Sequence, residues 1–99
     1  MQSVYQSSFD REMGCTEAEW LGWLPAAIGA NDSLRDGASV RVSIGEGSLL
    51  LSWQTGSPRV IAQIRLPRLL VSFRFTGLDE TGRYTFMKRF DLYMQRGGG

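Results

Sequence analysis

The chain predicts an α+β fold: a four- to five-stranded antiparallel meander sheet with one N-terminal, kinked helix packed on one face. Three observations carry that reading. Segments between residues 39 and 75 alternate apolar and polar residues, a capping box at Thr16 and Glu19 precedes an apolar stripe at helical spacing, and turn-forming glycines separate alternating runs. Side chains along a strand point to opposite faces with period two, so each alternating run has one side to bury and one to leave wet. A sheet built from such runs is antiparallel and covered on one face.

Chain length and composition set the frame. The 99 residues suit one domain with one modest core, read here as residues 1–96, with Gly97 to Gly99 as a flexible tail. Apolar residues at 42% and charged residues at 21% are ordinary globular usage, which argues against global disorder.

The helix begins the ordered core. Thr16 and Glu19 have the capping-box spacing, in which the hydroxyl accepts from one free amide and the carboxylate accepts from another, so the helix starts at Glu17. Cys15 and Trp20 occupy hydrophobic-staple positions, and Trp20, Leu21, Leu24, Ala27 and Ile28 form the stripe that faces the sheet. Pro25 removes the bond back to Leu21, which predicts a kink or two short pieces ending near Gly29.

Residues 30–37 read as a loop, rich in Asn, Asp, Ser and Gly. Val40, Val42 and Ile44 form the first apolar set and Leu49, Leu51 and Trp53 the second, joined by a hairpin at Gly45 to Gly47. A second turn falls at Thr55 to Pro58. Ala62, Ile64 and Leu66 form a third set, and Leu69, Val71, Phe73 and Phe75 a fourth. The phase slips by one at Pro67, through either a turn or a bulge.

Val4 to Phe9 is read as a short edge strand or a lead-in. Residues 84–96 fit either period, through Phe86, Phe90, Leu92 and Met94 for a strand or Phe86, Phe90 and Tyr93 for a helix. The strand propensity of Tyr84, Thr85, Phe86 and Tyr93 favours a strand. The element order then resembles the cystatin-like arrangement, a helix cradled by a curved antiparallel sheet. The inhibitory motifs of that family, a Gln-x-Val-x-Gly loop and a Pro-Trp turn, are absent, so the resemblance implies architecture and no function.

Chemistry is sparse. The sequence has no histidine, which removes the commonest general base and metal ligand, and its single cysteine rules out an intrachain disulfide. Asp10, Glu12, Glu17 and Glu19 cluster around the helix start, where acidic groups complement the helix dipole and serve as caps. Cys15 could be activated by the same amides, but with Met13 and Trp20 near in sequence it reads as a small buried hydrophobe. No phosphate-cradling glycine loop and no nucleophile elbow is present. No catalytic, cofactor-binding or metal-binding residue is assigned, and no cofactor is expected.

Basic and acidic residues nearly cancel, 11 against 10, so an electrostatic partner must be read by a local patch. The strand pattern puts Arg41, Arg65, Arg74 and Arg89 on one sheet face, together with Met87 and Tyr93, where Arg74 or Arg89 can pair with Asp91. Arginine beside an aromatic on an open sheet suits single-stranded nucleic acid, but the aromatics are too few for a stacking platform. Trp23, at the edge of the helical stripe, is the ring expected at the surface.

The expected function is that of a small soluble, non-enzymatic interaction module that binds another protein or self-associates, with a dimer as one form. Its expected surface comprises Trp23, Arg41, Arg65, Arg74, Arg89 and Tyr93. The alternatives are weak single-stranded nucleic-acid binding by the arginine face and an apolar ligand held between helix and sheet. With neither a basic-then-apolar leader in residues 1–10 nor a membrane-length apolar run, a cytoplasmic location and no membrane partner are expected.

Overall fold

Three of the alternating runs become the heart of a sheet, and the fourth leaves it. The computed structural model describes residues 4–96; Gly97 to Gly99, expected as a flexible tail, lie outside them. The elements are β1 (Ser8–Met13), α1 (Glu17–Ile28), β2 (Ser33–Asp36), β3 (Ser39–Ile44), β4 (Gly47–Thr55), β5 (Arg59–Ile61), β6 (Ile64–Leu66), β7 (Leu69–Thr76) and α2 (Glu80–Arg96). Five strands form one antiparallel sheet in the order β1-β7-β4-β3-β2, and β5 and β6 pair with each other as a separate ribbon.

The α+β class, the antiparallel sheet and the N-terminal helix stand as expected, but only β2, β3 and β4 form the expected meander, with β7 and then β1 beyond β4, and several elements differ. The expected loop at 30–37 contains β2, whose four exposed residues pair with β3 around a turn at Gly37, φ +59°. A backbone ladder needs no apolar side chains, so an edge strand of this kind has no hydrophobic pattern to read. The expected edge strand at Val4 to Phe9 lies further on as β1, in which Arg11 occupies an inward position and breaks the alternation.

The largest correction is at the C-terminus, where the expected strand over 84–96 is the helix α2. Its buried residues Phe86, Met87, Phe90 and Met94 follow helical spacing, and Lys88, which fits badly in a strand, is exposed on the far side. Asp79 caps the first turn, with the Gly82 amide donating to Asp79 Oδ1 at 2.8 Å. Propensity over a few aromatic residues loses to a capped stripe that can be buried whole.

Both helices cover the same face. α1 follows edge strand β1 and leads to β2 on the opposite edge, and α2 follows β7 and packs beside α1. The capping box forms as expected: the Glu19 amide donates to Thr16 Oγ1 at 3.1 Å and the Thr16 amide to Glu19 Oε1 at 2.9 Å. α1 runs unbroken through Pro25. The proline costs one bond to Leu21, but the Gly29 amide still closes the last turn onto the Pro25 carbonyl at 3.0 Å.

Beneath the helices, Val40, Val42, Leu49, Leu51, Trp53, Leu69, Val71, Phe73 and Phe75 are buried in the period-two pattern of β3, β4 and β7. Phe90 joins the layers. Its ring meets Phe73 edge-on at 5.6 Å and Trp20 at 6.0 Å, while Trp20 reaches Trp53 at 5.7 Å. The Trp53 indole donates to Glu17 Oε2 at 2.8 Å, which ties the start of α1 to the centre of the sheet.

At the β1 edge, Arg11 makes a bidentate pair with Asp91 of α2 at 2.6 and 3.1 Å, and the Tyr5 hydroxyl donates to the same carboxylate at 2.6 Å. The Arg11 guanidinium also lies 5.3 Å from the Phe73 ring centre and 5.5 Å from that of Phe9. Arg83 of α2 donates to the Tyr5 carbonyl at 2.7 Å, so the segment before β1 is held by both side chains and backbone.

Two predictions follow from this packing. Phe90→Ala removes the ring that both layers share and should cost about 3–5 kcal/mol in denaturant unfolding, the range for a buried Phe. Burial, and then the hydrogen bond to Asp91, push the Tyr5 phenol up to about 12. The neutral phenol is the folded form, so its contribution to stability is complete below pH 10 and is lost as pH rises toward 12. Spectrophotometric titration should show a tyrosinate transition near pH 12 that Tyr5→Phe removes.

Candidate functional site

The face away from the helices is bare among the described residues, and the register across its five strands fixes what it displays. One row runs Leu34, Arg41, Leu50, Arg74 and Ser8; the next runs Asp36, Ser39, Ser52, Ser72 and Asp10. A third, shorter row holds Gln54, Leu70 and Glu12. Serines make a low floor in the second row, with larger side chains on either side. The result is a trough of about 580 Å³ whose lining includes Asp10, Glu12, Ser52, Leu70, Ser72 and Arg74.

Beside the trough stands the ribbon. It leaves the sheet after Thr55, runs out along β5, turns at Ala62 and Gln63, and returns along β6 to Leu69. Ala62 has φ +54°, a left-handed conformation costly for a residue with a Cβ, whereas the hairpin turn at Gly45, φ +56°, uses glycine. The register puts Arg59, Ile61, Ile64 and Leu66 on one ribbon face and Val60 and Arg65 on the other. Val60, Ile61, Ile64 and Leu66 are 59, 54, 61 and 41% exposed. A two-stranded hairpin is marginal alone, and this one pairs with no third strand among the described residues.

The root of the ribbon is held by charge. Glu12 Oε1, on the trough side of β1, lies 2.9 Å from Arg59 Nη2 and 3.3 Å from Arg68 Nε, and Arg68 also donates to the Ser57 carbonyl. The ribbon base therefore leans over the open face.

The expected four-arginine face is not assembled. Arg41 and Arg74 do share the open face, on either side of Leu50, but Arg74 is paired with Asp10 at 3.1 Å. Arg65 stands on the ribbon, because Ala62, Ile64 and Leu66 belong to an exposed hairpin and not to a buried strand. Pro67 and Arg68 divide β6 from β7, which settles the phase slip as a break between strands. Arg89 and Tyr93 lie on α2, stacked on each other at 4.5 Å, and Arg89 also donates to the Ala26 carbonyl of α1. Met87 is buried, and Asp91 pairs with Arg11 and not with Arg74 or Arg89. Trp23 is half-buried on α1, packed against the core.

The trough is lined by serines, arginine and paired carboxylates. Its serines have no histidine to activate them, and the carboxylates of Asp10 and Glu12 are engaged by arginines. Cys15 is buried, and that burial together with the nearby Glu19 carboxylate pushes its thiol up, away from the reactive thiolate. Among the described residues no group of three or more metal-ligating side chains is placed to hold an ion, and no helix is long and apolar enough to cross a membrane.

A second, smaller groove of about 290 Å³ lies between the end of α1 and β2, lined by residues including Leu24, Pro25, Arg35 and Val40. It is open at the surface and does not reach the helix–sheet interior, where Trp20 and Phe73 leave no exposed surface.

Comparison with known proteins gives no matching family model, no matching curated protein and no matching solved structure. The site's chemistry therefore rests on the geometry alone. The ribbon is the candidate feature not foreseen from the sequence. Its available signal was an arginine-flanked apolar segment, Arg59 to Leu66, enclosed by Pro58 and Pro67.

Glu12→Gln tests the anchoring of the ribbon. Exposed ion pairs contribute little, so global stability should change by less than about 1 kcal/mol. Amide exchange over residues 57–68 should nevertheless quicken while β4 and β7 stay protected; unchanged exchange in the ribbon would contradict the anchor.

Proposed function

We propose that this chain is a small non-enzymatic protein-interaction module whose contact surface is the β5–β6 ribbon together with the adjoining trough. The carrying observation is the exposure of Ile61, Ile64 and Leu66 on one face of a hairpin whose outer edges pair with no other strand among the described residues. Contiguous exposed apolar side chains of this kind mark places where another protein packs, and free strand edges offer it backbone hydrogen bonds. The missing histidine, the paired carboxylates and the inert thiol support a binding role over a catalytic one.

Neither alternative has a comparable observation behind it. Nucleic-acid binding needed arginines gathered with an aromatic on one face, and they are dispersed. An apolar ligand between helix and sheet needed space beside Trp20 or Leu24 and Phe73; Trp20 and Phe73 are fully buried, and what opens beside Leu24 is the small surface groove between α1 and β2. A lone buried cysteine fits a reducing compartment and supports a cytoplasmic location.

Site-specific photo-crosslinking in the native cell tests the surface. A benzophenone side chain at position 61 should yield protein adducts well above those from a control at exposed Leu92. Equal or absent adducts at position 61 would overturn the assignment.

A further inference from the structure

We infer that the partner of the ribbon is an acidic segment of another protein, one that sets aliphatic side chains on Ile61, Ile64 and Leu66 and carboxylates on Arg59 and Arg65. The inference rests on the interaction surface proposed above and names the chemistry of its partner.

The distribution of charge is the first argument. The whole chain is nearly neutral, yet residues 47–78 hold Arg59, Arg65, Arg68 and Arg74 and none of its 10 acidic residues. Arg59, Arg65 and Arg68 belong to the ribbon and its root, and a single carboxylate, that of Glu12, is placed to answer them. Arg59 reaches it through Nη2 alone, which leaves most of its N–H donors in water. Arg65 is exposed and makes no ion pair or hydrogen bond among the described residues.

Interleaving is the second. Arg59 lies across from Leu66 on the face that carries Ile61 and Ile64, and Arg65 lies across from Val60 on the other. Alternate residues of a strand stand roughly 7 Å apart, so a partner that covers Ile61, Ile64 and Leu66 also takes the Arg59 guanidinium out of water. A guanidinium stripped of water and left without a counter-charge opposes binding, whereas one met by a carboxylate in its fork favours it. An uncharged or basic partner would thus lose at Arg59 and Arg65 what it gained at the aliphatic residues.

The trough does not oppose such a partner. Asp10 is matched by Arg74, and Glu12 lies between Arg59 and Arg68, so neither carboxylate presents an uncompensated negative charge. Arg41, on the same open face, makes no ion pair or hydrogen bond among the described residues and extends the basic surface.

Arginine forks also suit phosphate, but the surroundings favour a polypeptide. Residues 57–68 contain no aromatic ring on which a base could stack and no Trp or Tyr to seat at a lipid interface, and polar Gln63 stands at the turn that would enter a bilayer first. Aliphatic side chains between spaced arginines match a protein segment that mixes aliphatic and acidic residues.

Fluorescence anisotropy with the full chain tests this, using a short labelled peptide that alternates glutamate with leucine. It should bind at least about tenfold more tightly than peptides with lysine in place of glutamate or serine in place of leucine, and more weakly as salt rises. Arg65→Glu and Ile61→Ser/Ile64→Ser should each weaken binding at least about tenfold, Arg65→Lys, which keeps the charge, should weaken it less, and Lys88→Glu on α2 should leave it unchanged. These positions are all exposed, and circular dichroism melts establish that each variant is folded. No binding of the glutamate peptide, equal binding of the lysine peptide, or an Arg65→Glu effect no larger than that of Lys88→Glu overturns the inference.

Photo-crosslinks from position 61 separate this inference from the reading beneath it. The partner segments they mark, identified by mass spectrometry, should carry aspartate or glutamate beside the adduct. Adducts on segments without acidic residues overturn the acidic partner and leave the contact surface standing, whereas adducts no more abundant than at Leu92 remove the surface as well. Binding of anionic vesicles or an oligonucleotide through the ribbon, with the glutamate peptide ignored, overturns the inference by reassigning the arginines to phosphate.

Discussion

Phe90 holds the two layers together, and its position determines what the rest of the molecule can expose. Its ring touches Phe73 in the sheet and Trp20 in α1, and Trp20 in turn touches Trp53. Rings from β7 and α1 therefore close on one side chain of α2, and Trp53 of β4 joins them through Trp20. Both helices must lie on the same face for this to happen, and with both on one side no helix among the described residues is left to cover the other.

That asymmetry produces the candidate site. The uncovered face is stable in water because its residues are serine, arginine and acid at nearly every outward position, with Leu34, Leu50 and Leu70 as the apolar exceptions. The ribbon is different, since Ile61, Ile64 and Leu66 share one ribbon face and each stays largely exposed. The proposed reading assigns the buried aromatics to folding and the exposed ribbon to contact.

Sequence made the covered face legible and the topology only partly so. Period-two runs in β3, β4 and β7 read directly, because each is long and faces one apolar layer. The Thr16–Glu19 cap read directly too, since its chemistry is local. The C-terminal helix was misread because aromatic residues fit both periods there, and the deciding signals were the Asp79 cap and the awkwardness of Lys88 in a strand. The arginine face failed for the same reason. Arg41 and Arg74 belong to well-patterned strands and do share a surface, whereas Arg65 and Arg89 were placed by a ribbon and a helix taken for sheet strands. An exposed hairpin cannot be told from a buried strand by alternation alone, because alternation records only that two faces differ and not that either is covered.

The central claim is that Phe90 ties both helices to one face of the sheet and leaves the β5–β6 ribbon outside the core. Nuclear Overhauser effects within the full chain test it most directly. The account predicts contacts from the Phe90 ring to both Trp20 and Phe73, and none from the Ile61 and Ile64 methyl groups to α1 or α2. A Phe90 ring without those two neighbours, or ribbon methyl groups packed on a helix, would contradict it.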